Sequence, residues 1–186
     1  MNKLIIVSGT HGSGKSTLAR KFIEAHGGVL KEIQVCGETV TLTADGKCAV
    51  LGKYATACGG IDGFSGWKAL EGVITYLTGI GCPIIFGEGV IQYGKERYLW
   101  MNSIPGYEFV FIKLNIPIPV CIGQVLKRRN EAGNTKEFDP KHVFDKERGW
   151  YSIYIHLLQN NVKNCYNLTF DEAIGCIGWY TKEEEK

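Results

Sequence analysis

A chain of 186 residues fits one compact domain, expected to span 1–186, and is long enough to bury a full core. Apolar residues make up 45% and charged residues 22%, an ordinary globular composition that excludes fibrous and disordered classes. The 21 Lys and Arg against 19 Asp and Glu leave a net charge of +2, which gives no footprint of a strongly basic nucleic-acid binder but leaves room for a local basic groove.

Met1 runs directly into a short continuous apolar stretch at 4–7, the signature of a strand buried on both faces. No cationic leader precedes it, so no signal peptide is expected. A helix follows at 16–26, ended by Gly27 and Gly28. Residues 35–51 hold two β-rich pieces around Asp45-Gly46, a hairpin signal. The pattern then predicts a helix at 66–78, a buried strand at 83–86, a helix at 95–102 and a strand at 109–114. The helix at 120–130 is entered through Pro117 and Pro119 and ends in Lys127, Arg128 and Arg129. A longer helix covers 140–160, a last strand 165–168, and Asp171 starts a last helix; the charged tail 182–186 reads as frayed.

Strands alternating with helices imply an α/β fold: a parallel sheet covered on both faces, hence three α/β/α layers, with the hairpin as an insertion. Ligands in such folds gather at the carboxyl ends of the strands. That rule selects the loop at 9–15, the loop at 52–66, Glu88 and the Arg128 region as one site. No apolar run approaches about 18 residues, so no membrane span is expected. Seven cysteines (Cys36, Cys48, Cys58, Cys82, Cys121, Cys165 and Cys176) form no C-x-x-C pair, which reads as reduced thiols in a cytoplasmic protein.

Gly9-Thr10-His11-Gly12-Ser13-Gly14-Lys15-Ser16, followed by Thr17, matches G-x-x-x-x-G-K-[ST] in full between a strand and a helix. A triphosphate needs many N–H donors converging on its oxygens. Gly9, Gly12 and Gly14 let the backbone approach and adopt positive φ, while Ser13 and the helix start supply N–H groups and the positive end of the dipole. Lys15 is placed for the β- and γ-phosphates and Ser16 for Mg²⁺, which implies ATP and Mg²⁺ as ligands. His11 reads as a loop-shaping residue.

Glu88, just past the strand at 83–86, is a candidate for holding a Mg²⁺-bound water or orienting the nucleophile; a helix cap is the bland alternative. Asp62 lies among Gly59, Gly60 and Gly63, a loop shaped to approach a ligand, or an ordinary Asp-Gly turn. Arg128 and Arg129 close a helix that in kinases leads into a lid, here 127–140, whose arginines neutralise charge on the transferring phosphoryl group. Their bland reading is a solvated helix end complementing the dipole. Arg97 is a weaker candidate. The aromatic run 150–154 reads as helix packing.

Taken together, Leu51-Gly52-Lys53-Tyr54, Cys58-Gly59-Gly60-Ile61-Asp62-Gly63, Phe86-Gly87-Glu88-Gly89, Lys127-Arg128-Arg129 with Gly133-Asn134, and Phe138-Asp139-Pro140 resemble the bacteriophage 5-hydroxymethyluracil DNA kinases. In that family the acid directly follows the Phe; here Gly87 intervenes. The resemblance implies a P-loop kinase fold, phosphorylation of a hydroxymethyl group on a modified pyrimidine in viral DNA, a step in thymine hypermodification, and work in the host cytoplasm. Asp62 or Glu88 then serves as general base. The alternative on the same scaffold is a kinase for free nucleosides or nucleoside monophosphates. A guanine-nucleotide switch is disfavoured because N-K-x-D is absent.

Overall fold

A computed structural model describes residues 1–54, 60–89 and 94–181. Cys58, Gly59 and the tail 182–186 lie outside the described residues. The elements run β1 (Asn2–Ser8), α1 (Lys15–Ala25), β2 (Val29–Val35), β3 (Glu38–Thr43), β4 (Cys48–Leu51), a 3₁₀ turn (Ile61–Gly63), α2 (Trp67–Gly79), β5 (Ile84–Gly89), α3 (Lys95–Asn102), β6 (Tyr107–Leu114), α4 (Ile118–Glu131), α5 (Lys141–Gln159), β7 (Cys165–Leu168) and α6 (Phe170–Thr181).

The strands form one seven-stranded sheet in the order β2-β3-β4-β5-β1-β6-β7. β4, β5, β1, β6 and β7 are mutually parallel, and β2 and β3 extend the sheet antiparallel beyond β4. From β1 the chain crosses by way of α1 to β2 at the sheet edge, then comes back through β3, β4 and β5 and continues past β1 to β6 and β7. Crossovers of one hand put outward and returning connections on opposite faces. The core obeys this. Leu18, Ala19, Phe22 and Ile23 of α1 pack with Ile177 of α6 on one face, against Ile5, Val50, Phe86 and Ile112. Leu70, Val73, Tyr98, Trp150 and Ile153, from α2, α3 and α5, pack on the other, against Leu4, Ile6, Leu51 and Phe111. Each large apolar side chain so buried stabilises by roughly 1.5–3 kcal/mol. The direction of the connections reverses at β1, so the crevice at the carboxyl end of that strand is the place the topology reserves for a ligand.

Three expectations need adjusting. The 29–35 stretch is a strand, although its polar Lys31, Glu32 and Gln34 hide the pattern of an exposed edge. The inserted antiparallel hairpin is therefore β2–β3, turning at Cys36-Gly37, where both residues take positive φ (52° and 81°), the geometry of a tight two-residue hairpin. The expected hairpin around Asp45-Gly46 exists as the antiparallel pair β3–β4, and β4 also joins the parallel sheet through β5. Finally, Glu88 lies within β5, in register with Val7 of β1, rather than beyond the strand.

Of the run 150–154, Trp150 and Ile153 pack in the core as expected, whereas Tyr151 is 52% exposed. No helix among the described residues is long and apolar enough to cross a membrane.

Candidate active site

The loop between β1 and α1 is shaped by its own polar groups. The Ser13 hydroxyl donates to the Thr10 carbonyl at 2.9 Å, and the Thr10 hydroxyl donates to the Val143 carbonyl of α5 at 2.8 Å. Gly12, at φ +77°, lies so close to α4 that a Cβ there would sit 2.2 Å from the Cys121 carbonyl oxygen. No other residue fits that position. Gly14 caps α1 in the left-handed region, and the first N–H groups of the helix have no side-chain cap. Such donors are free to serve a bound anion.

Lys15 is folded into this loop. Its Nζ donates to the Thr10 carbonyl at 2.8 Å and to the Ser13 hydroxyl at 3.3 Å, and the side chain is nearly buried. Burial pulls its ammonium below the ordinary lysine pKa, with the charge of Glu88 opposing the shift. The neighbouring Ser16 hydroxyl donates to Oε1 of Glu88 at 2.9 Å. Glu88 is 1% exposed, and burial pushes its carboxyl above the ordinary value against the pull of Lys15 and Ser16. Tyr54 also donates its phenol to Glu88 Oε1, at 3.2 Å. Burial and the adjacent carboxylate keep that phenol protonated, hence a donor.

Two clefts lie near Glu88, which bonds Ser16 of the first and packs against Gly60 of the second. The first, about 430 Å³, is lined by Gly12, Ser13, Gly14, Lys15, Ser16 and Thr17 together with Arg20, Gln124, Arg128 and Phe170. Gly9 stands at the head of the same loop, where a Cβ would meet the Ser13 hydroxyl. The second, about 450 Å³, lies between β3 and the 3₁₀ turn and includes Asp62. Packing around Glu88 and Asp62 is close: a Cβ on Gly60 would meet Glu88 Oε1 at 2.6 Å, and one on Gly89 would meet Asp62 Oδ1 at 2.9 Å. Asp62 also acts electrostatically on Lys15, Glu88 and His11. His11, half-buried among the cations Lys15, Lys146 and Arg128, is held below the ordinary histidine pKa, first by burial.

The expected residues thus converge, with one division. Arg128 lines the first cleft, whereas Arg129 turns away from it. Its guanidinium donates to the Lys136 carbonyl, approaches the Asn134 side chain at 3.4 Å, and lies 5.7 Å from the centre of the Phe138 ring. Arg97 lies over the Trp67 ring at 5.0 Å, away from both clefts. Residues unmarked by sequence reasoning also join the site. Thr10 and Tyr54 were visible in motifs but carried no role. Glu38 and Glu32 gave no signal, because their partners lie 27 and 22 residues away.

Ser16 and Glu88 offer a hydroxyl and a carboxylate to a hard cation, and the loop offers N–H groups and an ammonium to an anion. An α/β sheet with these groups at its carboxyl edge, compared with known proteins, defines the class: an ATP-dependent kinase. More narrowly, the chain belongs to the 5-hmdU DNA kinase family. It is 31% identical over 207 aligned positions, covering 92% of this chain and 77% of its relative, to the 5-hmdU DNA kinase of Delftia phage PhiW-14. It is 27% identical over 133 positions, 68% of this chain and 69% of the relative, to the 5-hmdU DNA kinase of Pseudomonas phage PaMx11. No protein-family model matches the chain.

Proposed function

We propose that residues 1–186 form a single P-loop kinase unit that moves the γ-phosphate of ATP to the hydroxymethyl oxygen of 5-hydroxymethyluracil in phage DNA, a step toward thymine hypermodification in the host cytoplasm. The observation that supports this reading is a pair of clefts on either side of Glu88, one lined by Gly12 to Thr17 and Arg128, the other bearing a second carboxylate, Asp62. The names of the phage relatives supply the acceptor.

The loop Gly9–Thr17 holds the phosphates, with Lys15 on the β- and γ-oxygens. Ser16 and Glu88 fit Mg²⁺, which when bound neutralises phosphate charge. Glu88 Oε1 accepts from Ser16 and Tyr54, on the side of the cation. Asp62, which lines the second cleft, is the general base. Asp62 takes the hydroxymethyl proton as the oxygen bonds to the γ-phosphorus; the bond from that phosphorus to the β,γ-bridging oxygen breaks and ADP leaves. Arg128, on the lid 127–140, neutralises the equatorial oxygens.

Labelled ATP should phosphorylate hydroxymethyluracil DNA and leave thymine DNA, free nucleosides and nucleoside monophosphates unlabelled. Asp62→Asn should keep nucleotide binding and lose transfer by ~10²-fold or more. Efficient labelling of a free monophosphate, with Asp62→Asn still active, would assign the chain to small-molecule kinases instead.

A further inference from the structure

The second cleft has walls held with unusual care. Glu38, at the start of β3, accepts both the backbone N–H and the hydroxyl of Ser65 on one oxygen, at 2.8 and 2.7 Å. Glu32, on β2, accepts the backbone N–H of Tyr54 at 3.1 Å. Two carboxylates of the inserted hairpin therefore hold the backbone at Tyr54 and at Ser65, three residues after Asp62. Glu38 is only 9% exposed. A buried carboxylate that accepts two donors of one residue fixes Ser65 in place. Between these anchors the cleft is lined by Thr39, Lys53, Asp62, Gly63 and Phe64, of which Phe64 is buried and Lys53 exposed.

The acceptor's reach decides how it enters. A hydroxymethyl arm is two covalent bonds long, and in-line attack needs its oxygen about 3–3.5 Å from the phosphorus. The pyrimidine ring itself must therefore come beside the phosphate loop. That loop is recessed: Ser13, Lys15 and Glu88 are 3%, 6% and 1% exposed. In a paired duplex the C5 substituent lies inside a major groove about 12 Å wide and 8.5 Å deep. Reaching it there takes a protruding element, and this site is concave.

Resting on the function proposed above, we infer that the cleft between β3 and the 3₁₀ turn receives the pyrimidine extruded from the duplex, with Glu32 and Glu38 as positioning residues for its walls. Asp62 faces the hydroxymethyl oxygen, Phe64 supplies the apolar wall, and Lys53 meets the DNA backbone at the mouth. The cleft falls within the size range of pockets that take small ring ligands.

The test compares hydroxymethyluracil paired with adenine, mispaired with guanine, and in a single strand, each with 2-aminopurine as the next base. Extrusion costs least where pairing is already weak, so the mispaired and single-stranded forms should be phosphorylated with kcat/KM at least about tenfold above the paired form. Wild-type protein should also brighten 2-aminopurine as stacking is lost. Gly63→Trp fills the cleft from a position where a Cβ meets nothing within 4 Å. It should lose kcat/KM for DNA by about 100-fold while fluorescent-ATP titration stays at the wild-type midpoint. Equal rates for paired and mispaired DNA with no brightening overturn extrusion while the kinase function stands, whatever the fate of the Gly63 variant. Failure to label hydroxymethyluracil in all three forms overturns the function, and the inference with it.

Discussion

Arg128 and Arg129 are adjacent in sequence and divided in space. Arg128 reaches the cleft of the phosphate loop, while Arg129 is spent on the Lys136 carbonyl and the Phe138 ring. The two alanine variants should therefore separate. On the function proposed above, Arg128→Ala removes a charge that acts mainly in the transition state, so kcat should fall by up to ~10³-fold with little change in KM for ATP. Arg129→Ala should keep kcat within a few-fold and instead loosen the 134–138 segment, seen as faster proteolytic nicking there. Equal losses of kcat would mean that both arginines reach the phosphate. The division was not legible in the sequence, since a helix end offers both residues the same composition and the choice is made by a carbonyl seven residues on. The loop that places Lys15 and Ser16 was legible because its residues are contiguous. The partnership of Tyr54 with Glu88 was not, for its hydrogen bond spans 34 positions.

At the scale of elements, the β3–β4 turn is locked by Asp45. One of its oxygens accepts from the Thr43 hydroxyl at 2.7 Å and the Lys47 N–H at 3.0 Å; the other pairs with His26 Nδ1 at 2.7 Å. Desolvation alone would raise this carboxyl, but those donors outweigh it and hold its pKa below the ordinary aspartate value. A depressed carboxylate stabilises the fold above the unfolded pKa, near 3.8, and ceases to do so as pH falls through the folded one. Asp45→Ala should thus lower Tm at pH 7 by about 2–4 °C, the equivalent of roughly 1 kcal/mol, and the gap should close in melts taken progressively below pH 4. A gap that stays constant with pH would assign the effect to turn propensity alone. This turn was readable because Asp-Gly is its own signal. The Cys36-Gly37 turn was not, because cysteine replaces the asparagine or aspartate that usually marks a two-residue hairpin, and β2 ahead of it exposes most of its side chains.

Across the whole molecule, the alternation of strands and helices made the layers legible, but not the strand order, which depends on where the chain reverses at β1. The thiols follow the layers: Cys48, Cys121 and Cys165 are buried, and all six described cysteines are free. Burial pushes Cys48 and Cys165 up to about 12, far from the thiolate form that reacts. Melting temperature should therefore be the same with and without reductant, and a large fall on reduction would reveal a structural disulfide. The hairpin has one more consequence at this scale. All four residues of β4 are buried, and β4 takes its outer hydrogen bonds from β3. Stripped of β2 and β3, that strand would present a bare row of N–H and C=O groups set among apolar side chains, a template for the strand of another copy. The present edge is better guarded, with Lys31 upon it and a break in register between Val29 and Lys31. The same two strands that hold Tyr54 and Ser65 also cover the edge of β4, so a truncation that removed them would remove both contacts at once.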